Sequence, residues 1–194
     1  MRPLVALLFA ALLTACASSG GTSATPRQVE PRTVWIVGTE GRAIGQATFT
    51  GGPNGVLIRM EFSERSLSPG WHGLHLHERG DCSDFAAGFQ AAGGHVGMNQ
   101  RIAHGLMNPS GPEAGDSPNI FAPPAGAFGA EVFAPYVLLS AERVPGNANR
   151  RERLPLLDAD GSALMIHAGP DDQVTQPIGG AGARVACAAL TPLP

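Results

Sequence analysis

The chain has 194 residues, 13 of them basic and 16 acidic, for a net charge of −3. Every basic residue is arginine, and only 15% of residues are charged. A faintly acidic chain of this kind lacks the basic face that general nucleic-acid binding needs. After the N-terminal leader, no stretch is apolar for long enough to span a bilayer.

The first sixteen residues read as an export signal. Arg2 supplies a positive start, and residues 3–13 form an apolar run too short to cross a membrane. The run ends in Leu13-Thr14-Ala15-Cys16, which resembles a bacterial lipobox in which Cys16 is lipidated and becomes the mature N-terminus. An ordinary signal peptide cleaved near Ala15 or Ala17 is the alternative. Either way the chain is expected outside the cytoplasm, in the periplasm or cell envelope. Residues 17–32 are small and polar, so they cannot bury enough surface to order themselves, and they read as a tether. Such a tether would hold a globular domain off a membrane to which the lipid is fixed. Residues 33–194 suffice for one domain with a sizeable core.

That domain reads as all-β. Residues 33–39, 44–50 and 56–62 are predicted strands, separated by Glu40-Gly41 and by a Gly-Gly-Pro-Asn-Gly turn at 51–55. In the third, Val56, Ile58, Met60 and Phe62 share one face. A fourth strand is predicted over residues 71–77, where Leu74 and Leu76 alternate with His75 and His77. One face is then core and the other is half of a metal site, because successive side chains on a strand point to opposite sides. Three of the six histidines lie between 72 and 77; the others are His95, His104 and His167. Gathered together they would make an imidazole-rich centre, which suits copper, zinc, iron or nickel better than calcium or magnesium.

Residues 79–118 form a long Gly-, Asn- and Pro-rich connection carrying His95 and His104, and connections of that length are usually functional. Further short strands are predicted at 119–121, 130–133 and 136–139, and the arginine-rich 147–153 reads as a solvated loop. Residues 163–167 repeat the earlier logic: Leu164 and Ile166 face the core, His167 the opposite side. The metal would therefore sit on the outer wall of a barrel, under loops. A Gly-rich loop at 169–182 leads to a last strand at 184–190. Apart from Cys16, the cysteines are Cys82 and Cys187, 105 residues apart; in an oxidising compartment they would form a bridge, two buried thiols being the alternative.

Taken together these residues resemble the bacterial secreted copper/zinc superoxide dismutases. The resemblance rests on Gly73-x-His75-x-His77, Gly94-His95, His104-Gly105, Gly115-Asp116, His167 with Asp171, and Gly182-x-Arg184-x-x-Cys187, and it covers nearly the whole domain in order. It implies a Greek-key antiparallel β-barrel or sandwich with two long functional loops, acting on superoxide anion. The copper ligands it implies are His75, His77, His95 and His167, with His95 also facing zinc. Arg184 would orient the anion and His95 would deliver a proton. Asp171 would hydrogen-bond His75 and His104, and His72 would orient a neighbour from behind the ligands, a polar core niche being its bland alternative. On the zinc side His95, His104 and Asp116 match the family pattern. Glu113 stands where a third histidine is expected, so it would either ligate zinc as a carboxylate or point away and leave a copper-only enzyme. Loop 169–183 holds Asp171 and Asp172 but no cation, so Arg184 would supply most of the local attraction. A non-enzymatic copper-carrying lipoprotein of the same fold is the rival reading. The oligomeric state, a homodimer included, stays open.

Overall fold

The computed structural model describes residues 30–192. Cys16, the export signal and nearly all of the tether lie outside the described residues. Seven strands form one antiparallel sheet: β1 (Arg32–Gly38), β2 (Ala43–Gly52), β3 (Gly55–Phe62), β5 (Leu74–His77), β7 (Phe128–Ala134), β10 (Ser162–His167) and β11 (Arg184–Leu190). Their lateral order is β5-β10-β11-β1-β2-β3-β7, with Greek-key crossings after β3 and β7. Four shorter strands complete the set. β4 (Gly70–His72) pairs with β6 (Ile120–Ala122), and β8 (Val137–Leu138) with β9 (Leu154–Pro155).

A flat sheet of seven strands would hold β5 and β7 about 29 Å apart. Instead Leu74 and Leu76 of β5 and Val132 and Ala134 of β7 join one buried cluster with Ile36, Phe49, Ile58, Met60 and Ile166. The sheet is therefore curled into a barrel whose lining is the inward half of each alternating strand. The alternation expected of β3 is realised, with Val56, Ile58, Met60 and Phe62 all buried.

One predicted strand is two. Residues 71–77 break at Gly73, whose N–H bonds the Gly169 carbonyl at 2.8 Å, so β4 belongs to a separate ribbon. The long 79–118 connection also carries structure that its composition did not announce. It has three single-turn 3₁₀ segments, Phe85–Ala87, Gln90–Ala92 and Met98–Gln100.

A second, smaller core lies on the outer wall. Phe89, Ala92, Ala163, Met165 and Cys187 pack together with Cys82 and Phe85 against them. The Cys82–Cys187 disulfide closes this patch. Bridging residues 105 apart stabilises the fold by about 4 to 5 kcal/mol in the loop-entropy picture. The loop that approaches the histidines is thus fastened to the barrel both covalently and by burial.

Candidate metal centre

β5 is the edge strand of the sheet, and its open edge is taken up by two loop segments. His77 pairs with His95 and His75 with Asp116 as isolated bridges, and Leu76 N–H bonds the Gly115 carbonyl at 2.8 Å. Gly115 is required there, because a Cβ would lie 2.3 Å from the Leu76 carbonyl oxygen. On the other side β10 pairs with β5, and β11 follows, with His167 opposite Arg184. The sheet and its two edge segments therefore bring His75, His77, His95 and His167 to one place on the outer wall. All four are buried, at 0 or 1% exposure.

Each of these rings is oriented from behind. His77 Nδ1 lies 2.8 Å from the Gly93 carbonyl, His167 Nδ1 3.0 Å from the Gly182 carbonyl, and His75 Nε2 2.8 Å from Asp171 Oδ2. A carbonyl or an ionised carboxylate only accepts, so the ring nitrogen facing it must carry the hydrogen. That choice leaves His77 Nε2, His167 Nε2 and His75 Nδ1 as bare lone pairs, and these three atoms are buried without any partner. His95 Nε2 is a fourth such atom. One ligand atom from each of the four histidines lies within 4.8 Å of the others. A buried acceptor left unpaired costs free energy, and here four of them converge.

The electrostatics agree. Burial, then the neighbouring His95 and Arg184 charges, holds His77 down at about 2. Burial, with His75 next in weight, holds His167 down at about 4. His75 is also lowered, since burial outweighs its bond to Asp171. His77 and His167 are therefore neutral at physiological pH, which is the form that ligates metal.

Beside this cluster stands a second one: His95, His104, Glu113 and Asp116, again within 4.8 Å. Here the imidazole nitrogens face carboxylates. His95 Nδ1 lies 2.8 Å from Glu113 Oε2 and 3.5 Å from Asp116 Oδ1, and His104 Nδ1 lies 2.7 Å from Asp116 Oδ1. Glu113 is buried and turned into the cluster, so it does not point away. Burial alone would lower His104, but bonds to Asp116 and Asp171 outweigh it and push it up to about 10. His95 is raised for the same kind of reason, with Asp116 and Glu113 overcoming burial. Asp116 is pulled below the usual carboxylate range despite burial, by its bonds to His104 and His95.

Asp171 joins the two clusters. Its carboxylate reaches His75 Nε2 at 2.8 Å and His104 Nε2 at 3.2 Å, the bridging contact expected of it. Gly179 makes room for it, since a Cβ at that position (φ +60°) would sit on Asp171 Oδ1. His72 belongs to none of the converging donor groups. Its ring spans the His167 carbonyl at 2.7 Å and the Ser68 carbonyl at 2.8 Å, so it fixes the backbone of His167.

Arg184 is half-buried and held from two sides. Its Nη1 donates to the Phe89 carbonyl and its Nη2 to the Gly93 carbonyl, each at 2.7 Å. Gly93 thus accepts from both His77 and Arg184. Sequence reasoning missed these acceptors, and it missed two amide side chains. Asn119 forms a reciprocal pair with the Asp171 backbone, at 2.8 and 2.9 Å. Gln176 does the same with His104, at 3.0 and 2.8 Å. Nothing in composition or spacing marks either residue.

The curled β-barrel thus carries two adjacent donor sets, each able to hold a metal ion, beside a fixed guanidinium. Comparison with known proteins gives the family. Residues 43–190 match the family model described as copper/zinc superoxide dismutase. A copper/zinc superoxide dismutase of Caulobacter vibrioides is 47% identical over 151 residues, covering 78% of this chain and 80% of that one. One from Aquifex aeolicus is 37% identical over 156 residues, covering 80% and 83%. The crystal structure of a superoxide dismutase-like protein from Bacillus subtilis superposes with a TM-score of 0.68 at 34% identity, covering 81% and 97%. The chain belongs to the copper/zinc superoxide dismutase family.

Proposed function

We infer that the protein is a superoxide dismutase, converting superoxide to oxygen and hydrogen peroxide at a copper held by His75, His77, His95 and His167. The observation that carries this is the convergence of four buried, unpartnered imidazole nitrogens. Copper bound there supplies one-electron exchange, which zinc lacks. Every remaining role falls to the chain itself. Asp171, Gly93 and Gly182 hold three rings in the tautomer that presents a bare nitrogen. Arg184 keeps its charge and offers donors to a small anion, and its two carbonyl contacts fix where that anion is oriented. His95, shared by both clusters, is the group placed to hold a proton at Nε2 for the reduced anion.

Zinc fits His95, His104, Glu113 and Asp116, a set of two imidazoles and two carboxylates that its coordination chemistry accepts. A copper carrier of the same fold would have no use for a guanidinium clamped beside the ligands, which favours the enzyme. Dismutation by the purified protein with and without copper is the test; full copper loading without activity would leave only the carrier.

Residues 33–194 act as the catalytic domain in this reading, with residues 1–16 as an export signal ending in the lipidated Cys16 and 17–32 as the tether. The Leu-Thr-Ala-Cys ending of the apolar run supports a lipid anchor in the cell envelope, and a disulfide suits an exported protein. Mass spectrometry of the exported protein would show a lipid on Cys16, or an unmodified N-terminus that removes the anchor.

A further inference from the structure

The arginine-rich stretch that read as a plain solvated loop is folded onto the barrel. Val144 and Arg153 pair through two backbone bonds, of 3.1 and 3.0 Å, and Asn147 and Arg150 close the tip. Arg150, Arg151 and Arg153 line a concave pocket of about 180 Å³ together with Asn54, Pro135 and Tyr136. No carboxylate lines it. Glu152, the acidic residue within the run, is engaged elsewhere, by Arg143 at 3.0 Å and Gln100 at 2.9 Å. None of the three pocket arginines forms a salt bridge among the described residues.

The guanidiniums are nonetheless held. Arg153 Nη1 donates to the Pro53 carbonyl at 2.8 Å, and Arg151 stacks on the Tyr136 ring at 4.4 Å from its centroid. Arg151 Nη2 is buried with no partner at all. Three like charges around one hollow repel each other, and a buried donor without an acceptor is costly. The repulsion is relieved if an oxyanion sits among them.

We propose that this pocket binds a phosphate-class anion, either free or carried on a lipid headgroup. Guanidinium forks match phosphate oxygens and keep their charge at any pH. The chain as a whole is acidic, so this is a local site, not part of a nucleic-acid face. Its position bears on the source of the anion. Arg32, where the chain enters the barrel, pairs with Phe49 close to the β2–β3 turn that supplies Asn54. Arg184 lies beyond the opposite end of β1, where Gly38 pairs with Ala186. The pocket therefore lies at the end of the barrel where β1 begins, opposite the end that carries Arg184.

Tyr136 is the only tyrosine in the chain and stands in the pocket, so it reports the site alone. The test is fluorine NMR of the full chain carrying fluorotyrosine, titrated with inorganic phosphate, with phosphatidylglycerol nanodiscs, with phosphatidylcholine nanodiscs, and with potassium chloride at matched ionic strength. The tyrosine signal is expected to move saturably with phosphate or phosphatidylglycerol and not with chloride. Arg150→Gln, an exposed change, should weaken that binding by about tenfold, while Arg59→Gln, paired with Glu131 elsewhere, should leave it unchanged. Tighter binding to phosphatidylglycerol than to free phosphate assigns a headgroup; the reverse assigns a soluble phosphate. A response that follows ionic strength alone, or that is the same in Arg150→Gln, overturns the site.

Discussion

The two halves of the metal centre are built from the same residue type and hold protons in opposite ways. In the copper half, His77 and His167 rest against carbonyls and neighbouring positive groups, and they are held down at about 2 and about 4. In the zinc half, His104 rests against Asp116 and Asp171 and is pushed up to about 10. Burial opposes the charged form in both. The contrast follows the polar partners, neutral carbonyls for His77 and His167 and two carboxylates for His104, while His75, with the single carboxylate of Asp171, is still lowered by burial. One half is thus a set of neutral donors waiting for an ion, and the other holds protons that an incoming ion must displace.

Breaking the copper half alone has the largest effect. His77→Ala removes one of the four converging nitrogens, and dismutation should fall to the level of the copper-free protein while zinc stays bound. Activity and metal content measured together would show it. Asp171→Asn strikes both halves through one residue. Loss of such an outer carboxylate contact lowers metal affinity or activity by about 10- to 100-fold, and both metals should weaken where His77→Ala weakens only copper.

Arg184→Gln leaves both halves formed and removes the guanidinium beside them. The second-order rate with superoxide should drop by about tenfold or more. Because loop 169–183 has no cation of its own, the parent rate should fall only gently with added salt. A steep fall would mean that attraction comes from residues other than Arg184.

Proton release sharpens the comparison further. At neutral pH the metal-free His104 carries its proton, since its value lies near 10, so zinc binding should release about one proton from it. Copper binding should release none from His77 or His167, which are neutral above about pH 4. On acidification zinc affinity should therefore fall by about tenfold per pH unit for each competing proton, while His77 and His167 take up no competing proton until about pH 4. Calorimetry in buffers of different ionisation enthalpy reads both. The smallest change is expected from Glu113→His, which keeps a ligand but removes a charge. Zinc should remain, and the His95 value in the metal-free protein should move down, because the Glu113 carboxylate is one of the groups that raises it.

The copper half was the more legible in sequence, and the reason is geometric. His75 and His77 alternate with Leu74 and Leu76, and His167 follows Leu164 and Ile166, so strand periodicity alone puts the imidazoles on the outer face. His104, Glu113 and Asp116 sit in a loop with no period, and only the family pattern picked them out. The direction of Glu113 was not readable, because a carboxylate in a loop can turn either way until Asp116 and Gly105 fix the chain around it, at 2.7 to 2.8 Å. The clamp on Arg184 was invisible for another reason. Its acceptors are the backbone carbonyls of Phe89 and Gly93, which every residue carries. The break at Gly73 was missed because an alternating pattern continues across it, while the chain itself changes partner.

The most direct test of the central claim combines copper content, the electron paramagnetic resonance of the copper, and superoxide loss in one preparation. One copper per chain in a nitrogen-rich environment, with dismutation rising in proportion to copper, is the expected result. Copper bound through other donors, or a full complement of copper with no dismutation, would contradict it.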